Sequence, residues 1–233
     1  MQDTDDTVVL TWRGIRSGIP DIAPVALYAV VLGIAFGAAA QQAGLTDVET
    51  TLMSAAVFSG AAQFVALDMG LDRAGLGALL LAVLAVNTRH VLLGAALHPW
   101  LRHLGPWRRF GTAALLSDAN WAMAMSYRAQ GGNDVGVLVG GGLALWVCWF
   151  TGTVAGLTAT GALLDPERYG LDILMLAFFA TVLVSMWRGR VNVLPWLAAA
   201  IVSLLGLWLL PTNWHIMAGA LAGGVVGAAL YRE

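Results

Sequence analysis

Residues 75–98 read GLGALLLAVLAVNTRHVLLGAALH. At a rise of about 1.5 Å per residue this run makes a helix of roughly 36 Å, enough to cross a hydrocarbon core about 30 Å thick. Its one polar interruption, Asn87-Thr88-Arg89-His90, falls near the middle. A soluble helix of this composition has no side to turn towards water, whereas a helix in lipid needs none. The stretch therefore places the chain in the all-α class, as a polytopic helical membrane protein.

Composition agrees. Of 233 residues 59% are hydrophobic and 11% charged, with mean hydropathy +0.76, against about 25% charged in soluble domains. The net charge of -2 argues against nucleic acid as a partner. Every strong cation is arginine; without lysine there is no phosphate-gripping P-loop and no Schiff-base chemistry. A single cysteine, Cys148, permits neither an internal disulfide nor a cysteine metal cluster. His90, His98, His103 and His215 lack zinc-ligand spacing, and H-E-x-x-H and G-x-S-x-G do not occur. No cofactor, metal or catalytic residue is expected, and the chain does not read as an enzyme.

Working outward from residues 75–98, five more stretches are long enough to cross: 21–43, 136–161, 171–188, 192–210 and 213–231. The run from Ile22 to Ala40 is too long for a cleaved leader's core. Two further stretches, 52–67 (LMSAAVFSGAAQFVAL) and 111–127 (GTAALLSDANWAMAMSY), are shorter and more polar. Residues 1–20 read as a cytoplasmic tail, disordered over 1–7, followed over 8–19 by an interfacial helix in which Val8, Trp12, Ile15 and Ile19 share a face, or alternatively by a frayed extension of the first span. Residues 21–233 form a single transmembrane transport domain.

Arginine placement chooses between topologies, because cytoplasmic loops carry the excess. With eight crossings, Arg102, Arg108, Arg109 and Arg168 fall outside. With six full crossings plus two short re-entrant or broken segments, only Arg73 and Arg168 do. The second scheme is preferred and eight crossings is the alternative; both put the two termini in the cytoplasm. In the preferred scheme each short segment is followed by a span, and the two units run in opposite senses. That is a possible inverted repeat, and paired interrupted segments point to a transporter's binding site.

Glycines recur at four-residue spacing: Gly33 and Gly37, Gly152 and Gly156, and Gly219, Gly223 and Gly227. Small residues let helix backbones approach closely in lipid, either within this chain or against another membrane subunit. Trp100, Trp107, Trp187, Trp196 and Trp214 read as interfacial anchors.

Three polar clusters carry the chemistry. An arginine at mid-span costs about 2.5–3.5 kcal/mol on insertion scales, so Arg89 faces protein or a wet cavity. It either holds a substrate carboxylate through two hydrogen bonds or pairs with a fixed acid. His90 exchanges a proton near neutral pH or bonds a neighbouring helix, and Asn87 completes the group. In Ser117-Asp118-Ala119-Asn120, Asp118 pairs with Arg89, couples transport to protons, or caps a half-helix. In Phe58-Ser59-Gly60-Ala61-Ala62-Gln63-Phe64, Ser59 and Gln63 share a helix face, while Gly60 permits unwinding. Ser59, Gln63, Asn87, Arg89 and Asn120 are the candidate substrate-binding or pathway residues, with His90 and Asp118 the candidates for proton coupling.

These motifs resemble the AzlC family, the larger subunit of branched-chain amino acid exporters. The likeness rests on Gly14-Ile15-Arg16-Ser17-Gly18, Ala35-Phe36-Gly37, Val57-Phe58-Ser59-Gly60-Ala61-Ala62-Gln63-Phe64, Asn87-Thr88-Arg89-His90 followed by Gly94, and Gly170-Leu171-Asp172. It implies export of leucine, isoleucine and valine, with methionine as further cargo, across a bacterial cytoplasmic (inner) membrane. It also implies secondary transport with a small AzlD-type membrane subunit. The family's usual Asp-Glu pair stands here as Asp118-Ala119. Rival readings are a membrane scaffold or assembly subunit without its own pathway, and a channel.

Overall fold

The computed structural model describes residues 8–70, 75–159, 180, 184, 187, 189–210 and 214–230. Among them are nine α-helices and, in place of any strand, one isolated bridge. Three helices are long and apolar enough to cross a membrane: α1 (Trp12–Gln42), α4 (Leu76–Leu101) and α7 (Gly136–Ala159). Between them lie four short helices, α2 (Asp47–Ala56), α3 (Gly60–Met69), α5 (Pro106–Ala114) and α6 (Asp118–Ala129). The expected spans 192–210 and 213–231 correspond to the apolar helices α8 (Val193–Leu209) and α9 (Trp214–Leu230). The chain is thus a helical membrane protein. The expected span 171–188 falls mostly outside the described residues, as do residues 1–7, Arg73, Arg168, Gly170, Leu171 and Asp172. Two compact units form, Met1–Gly60 with Thr88–Leu171, and Ala61–Asn87 with Asp172–Glu233.

In the first unit the structure departs from the expected surface helix over 8–19. Val8 to Leu10 are not helical. Val9 bridges Asp134, its amide donating to Asn133 O (3.1 Å) and its carbonyl accepting from Val135 N (2.8 Å). The helix starts at Trp12 and runs unbroken to Gln42 through Pro20 and Pro24. Each proline removes one backbone rung, and tertiary packing carries the helix past both. Asp134 ties the entry down: its carboxylate accepts from the Thr11 amide, the Thr11 hydroxyl and, at 2.8 Å, the Gly136 amide. One side chain thereby fixes the starts of α1 and α7.

Helices α1 and α7 pack in parallel and nearly backbone to backbone. A Cβ on Gly18 would lie 2.2 Å from Val137 O, and one on Gly140 1.9 Å from Ile15 O. Further along, Gly33 and Gly37 face Trp149 O and Thr153 O, while Gly152 and Gly156 face Val30 O and Ile34 O. The glycine stripes on these helices serve packing within the chain. Because the two run in the same direction, whatever crosses between Gln42 and Gly136 returns the chain to its starting side.

Both short polar segments are broken helices. Between α2 and α3 the chain opens at residues 57–59, with Val57 extended (φ -104°, ψ 94°). Between α5 and α6 it opens at 115–117, with Ser117 extended (φ -137°, ψ 167°). Each piece has 9–12 residues, about 14–18 Å, which is half a bilayer core. Each broken pair precedes a long helix, α4 or α7.

In the second unit α8 and α9 form an antiparallel hairpin. Gly206 packs on His215, Gly219 on Ala199 and Ser203, and Gly223 on Pro195 and Ala199. That stripe too is used inside the chain.

Candidate functional site

Arg89 is the fourteenth of 26 residues in α4, roughly 20 Å from either end. Its side chain is 19% exposed, and Nη1 lies 2.9 Å from Asp118 Oδ2. Helical spacing sets Arg89 and His90 on the side of α4 that carries Ala82, Leu97 and Trp100, which are buried; Leu80, Leu84 and Val91 are exposed on the other. Nε of Arg89 is buried and has no hydrogen-bond partner among the described residues. Among the described residues the guanidinium is held through Nη1 alone, and Nε is left without a partner.

Asp118 is the first residue of α6, and its side chain is 53% exposed. The N-cap is Ser117, not Asp118. Ser117 Oγ accepts from Asn120 N (3.4 Å), and Asn120 Oδ1 accepts from Ser117 N (2.7 Å) and Ser117 Oγ (3.0 Å). This reciprocal capping box uses asparagine where glutamate or glutamine is usual. Asn120 Nδ2 also donates to Leu115 O (2.7 Å) at the end of α5 and to Leu138 O (3.1 Å) in α7. Both lone pairs and both protons of the amide are therefore taken. Asn120, fully buried, positions the break; it has no hydrogen-bonding capacity left for a ligand.

Three successive glycines on α7 let three neighbours approach: a Cβ on Gly140 would meet Ile15 O, on Gly141 the Met123 side chain, and on Gly142 Leu115 O at 2.5 Å. Residue 119 packs against an apolar cluster of Ile22, Ala26 and Leu145. An acid there would sit in hydrocarbon, so alanine suits the site.

The break after α2 is supported from α7. Trp146 Nε1 donates to Ala55 O (3.0 Å), one of the carbonyls that a helix C-terminus leaves orphaned. The Trp149 ring lies where a side chain on residue 60 would be, its Cη2 2.5 Å from an added Cβ. Ser54 Oγ and Thr153 Oγ1 share a buried hydrogen bond of 2.8 Å. Ser59 lies within the break, not on α3, so it shares no helix face with Gln63. Gln63 is fully buried in α3. Asn87 sits two residues before Arg89 on α4, and its Oδ1 is buried without a hydrogen-bond partner among the described residues. Of the expected site residues, the structure brings Arg89 and Asp118 into contact and commits Asn120 to the scaffold. The sequence reading omitted Asp134, Ser54, Trp146, Trp149 and Thr153. The triple glycine at 140–142 was the one visible signal that α7 is approached on several sides.

The chain is 26% identical over 212 residues to the inner membrane protein YgaZ of Escherichia coli, covering 88% of this chain and 86% of that one. It is 24% identical over 177 residues to the branched-chain amino acid transport protein AzlC of Bacillus subtilis, covering 76% and 69%. An uncharacterized membrane protein of Archaeoglobus fulgidus is 26% identical over 210 residues, covering 89% and 91%. No solved structure matches. The family model described as AzlC protein matches residues 24–163, more than half of the chain and all of α4 to α7; the chain belongs to the AzlC family.

Proposed function

We propose that this protein exports branched-chain and similar hydrophobic amino acids by secondary, ion-gradient-driven transport, as the large subunit beside a small AzlD-type membrane protein. The observation that carries the reading is Arg89: a guanidinium midway along an apolar helix, bound through one nitrogen to the first residue of a half-helix. A purely structural arginine in lipid gains by using all its donors, because each unpaired one costs free energy. A binding arginine keeps donors in reserve for its ligand. The relative named as a branched-chain amino acid transport protein supports the cargo class.

In this reading Arg89 holds the carboxylate, Ser59 supplies a further polar contact, and apolar helix faces receive the side chain. His90 or Asp118 moves the coupling proton. The break residues, pinned by Asn120, Trp146 and Trp149, give the chain two places to bend. Six full crossings with two broken re-entrant segments, and both termini in the cytoplasm of a bacterium, complete the topology.

The test is counterflow of labelled leucine in proteoliposomes with and without the small subunit. Transport accelerated by internal unlabelled leucine supports a carrier. Flux indifferent to counter-substrate marks a channel, and no flux in either preparation marks a scaffold subunit.

A further inference from the structure

The ion pair has two unfilled sides. Nη1–Oδ2 is the sole polar contact of either side chain among the described residues. On the cation, the unoccupied Nε lies on the same edge as Nη2, the edge that grips a carboxylate with two parallel hydrogen bonds. On the anion, Oδ1 takes part in no contact among the described residues, and the side chain is half-exposed. The capping box of Ser117 and Asn120 fixes the turn that carries Asp118, so this acceptor is held beside the guanidinium and not left to roam. A free cationic edge thus adjoins a free anionic oxygen, within a pair whose own charges cancel. In an apolar setting a ligand of net charge avoids paying for its own desolvation only when the site compensates it. A ligand with opposite charges two bonds apart compensates itself and matches both sides.

We propose that Arg89 and Asp118 act together as a receptor for the zwitterionic head of an α-amino acid: the Nε–Nη2 edge of Arg89 takes the carboxylate, and Oδ1 of Asp118 accepts the α-ammonium. This rests on the reading of Arg89 as the carboxylate contact and adds a specificity role for Asp118. It selects α-amino acids over the hydroxy acids and amines of the same carbon skeleton. A hydroxy acid leaves the Asp118 carboxylate unanswered, and an amine leaves the guanidinium so. It also assigns Asp118 to the ligand, which leaves His90 as the group that exchanges a proton.

The experiment uses the full chain, purified with its small subunit, and reads binding as ligand-induced thermal stabilisation, which does not require transport. The probes are leucine, 2-hydroxy-4-methylpentanoate and 3-methylbutylamine at pH 7. Wild type should prefer leucine to the hydroxy acid by about tenfold or more, since a lost charge-assisted hydrogen bond is worth roughly 1.5–3 kcal/mol. In Asp118→Asn the preference should fall within about threefold, with leucine weakened and the hydroxy acid kept. Asp118→Glu, which retains the carboxylate, should restore most of the preference, and so controls for damage to α6. A preference unchanged in Asp118→Asn, or leucine and hydroxy acid weakened in equal proportion, overturns the inference and leaves the transport reading standing. Wild-type binding of all probes by Arg89→Gln overturns both.

Discussion

Replacing Gly152 with alanine tests the scaffold that holds both breaks. The new methyl would lie 2.3 Å from Val30 O, 3.0 Å from Val30 C and 3.1 Å from Gly33 Cα. All three are backbone atoms, so no side chain can swing away. Reaching ordinary contact requires α1 and α7 to part by about 1 Å, and overpacking of this kind costs about 1–3 kcal/mol. At about 3 °C per kcal/mol for a chain of this length, the midpoint of thermal unfolding in detergent should fall by about 3–9 °C. The same displacement moves Thr153 and Trp149, which meet α1 at Gly37 and Gly33. Trp149 should then loosen on Gly60, and Thr153 on Ser54. Gly77→Ala is the control: it meets nothing within 4 Å and should be neutral or stabilising by up to about 1 kcal/mol. Gly33→Ala should cost as much as Gly152→Ala. The double variant should cost clearly less than their sum, because helices already parted by one methyl have room for the other. Scanning fluorimetry of the four variants reads the whole cycle. Full additivity, or a Gly152→Ala midpoint no lower than that of Gly77→Ala, would refute the close-packed pairing.

Asn120→Ala should cost about 2–4 kcal/mol, because it strands the Leu115 carbonyl and the Ser117 amide and removes the tie to Leu138 O in α7; Ser117→Ala, which removes only a cap, should cost about 1 kcal/mol. Equal losses in chemical unfolding would argue against Asn120 as the pin of the break. Ala119→Glu places a carboxylate against Ile22, Ala26 and Leu145 and should lower the thermal midpoint markedly; an unchanged midpoint would mean that the acid finds water there. Glu49 caps α2, its carboxyl held below the usual range by the Thr46 amide and then the Thr46 hydroxyl. A lowered folded-state value gives stability that is present above the unfolded value and lost as pH falls through the folded one. Glu49→Gln should therefore destabilise near neutral pH, and its gap from wild type should close as the solution is acidified; a gap independent of pH would remove the cap's role.

The polar residues inside apolar runs were legible because lipid makes them costly. Arg89 and Asp118 stood out for that reason, and the structure pairs them. The broken state of residues 52–67 and 111–127 was also legible, from their short length and from Gly60 and Ser117. The continuity of α1 was not. Pro20, Pro24 and two arginines argue locally for a boundary that packing against α7 overrides. Asn120 read as a ligand contact because an exposed asparagine and one with all four hydrogen-bonding positions filled look alike in sequence. The Asp134 clamp escaped notice because its partner Thr11 is brought to it by tertiary contact from 123 positions away. Ser54 and Thr153, 99 positions apart, are hidden in the same way.

The central claim is that Arg89 handles cargo and is more than a bundle tie. Valine efflux from vesicles carrying Arg89→Ala, measured beside the amount of protein inserted in the membrane, tests it most directly. Efflux at background with wild-type insertion is the predicted result. Efflux at the wild-type rate would contradict the account and return the Arg89–Asp118 pair to a structural role.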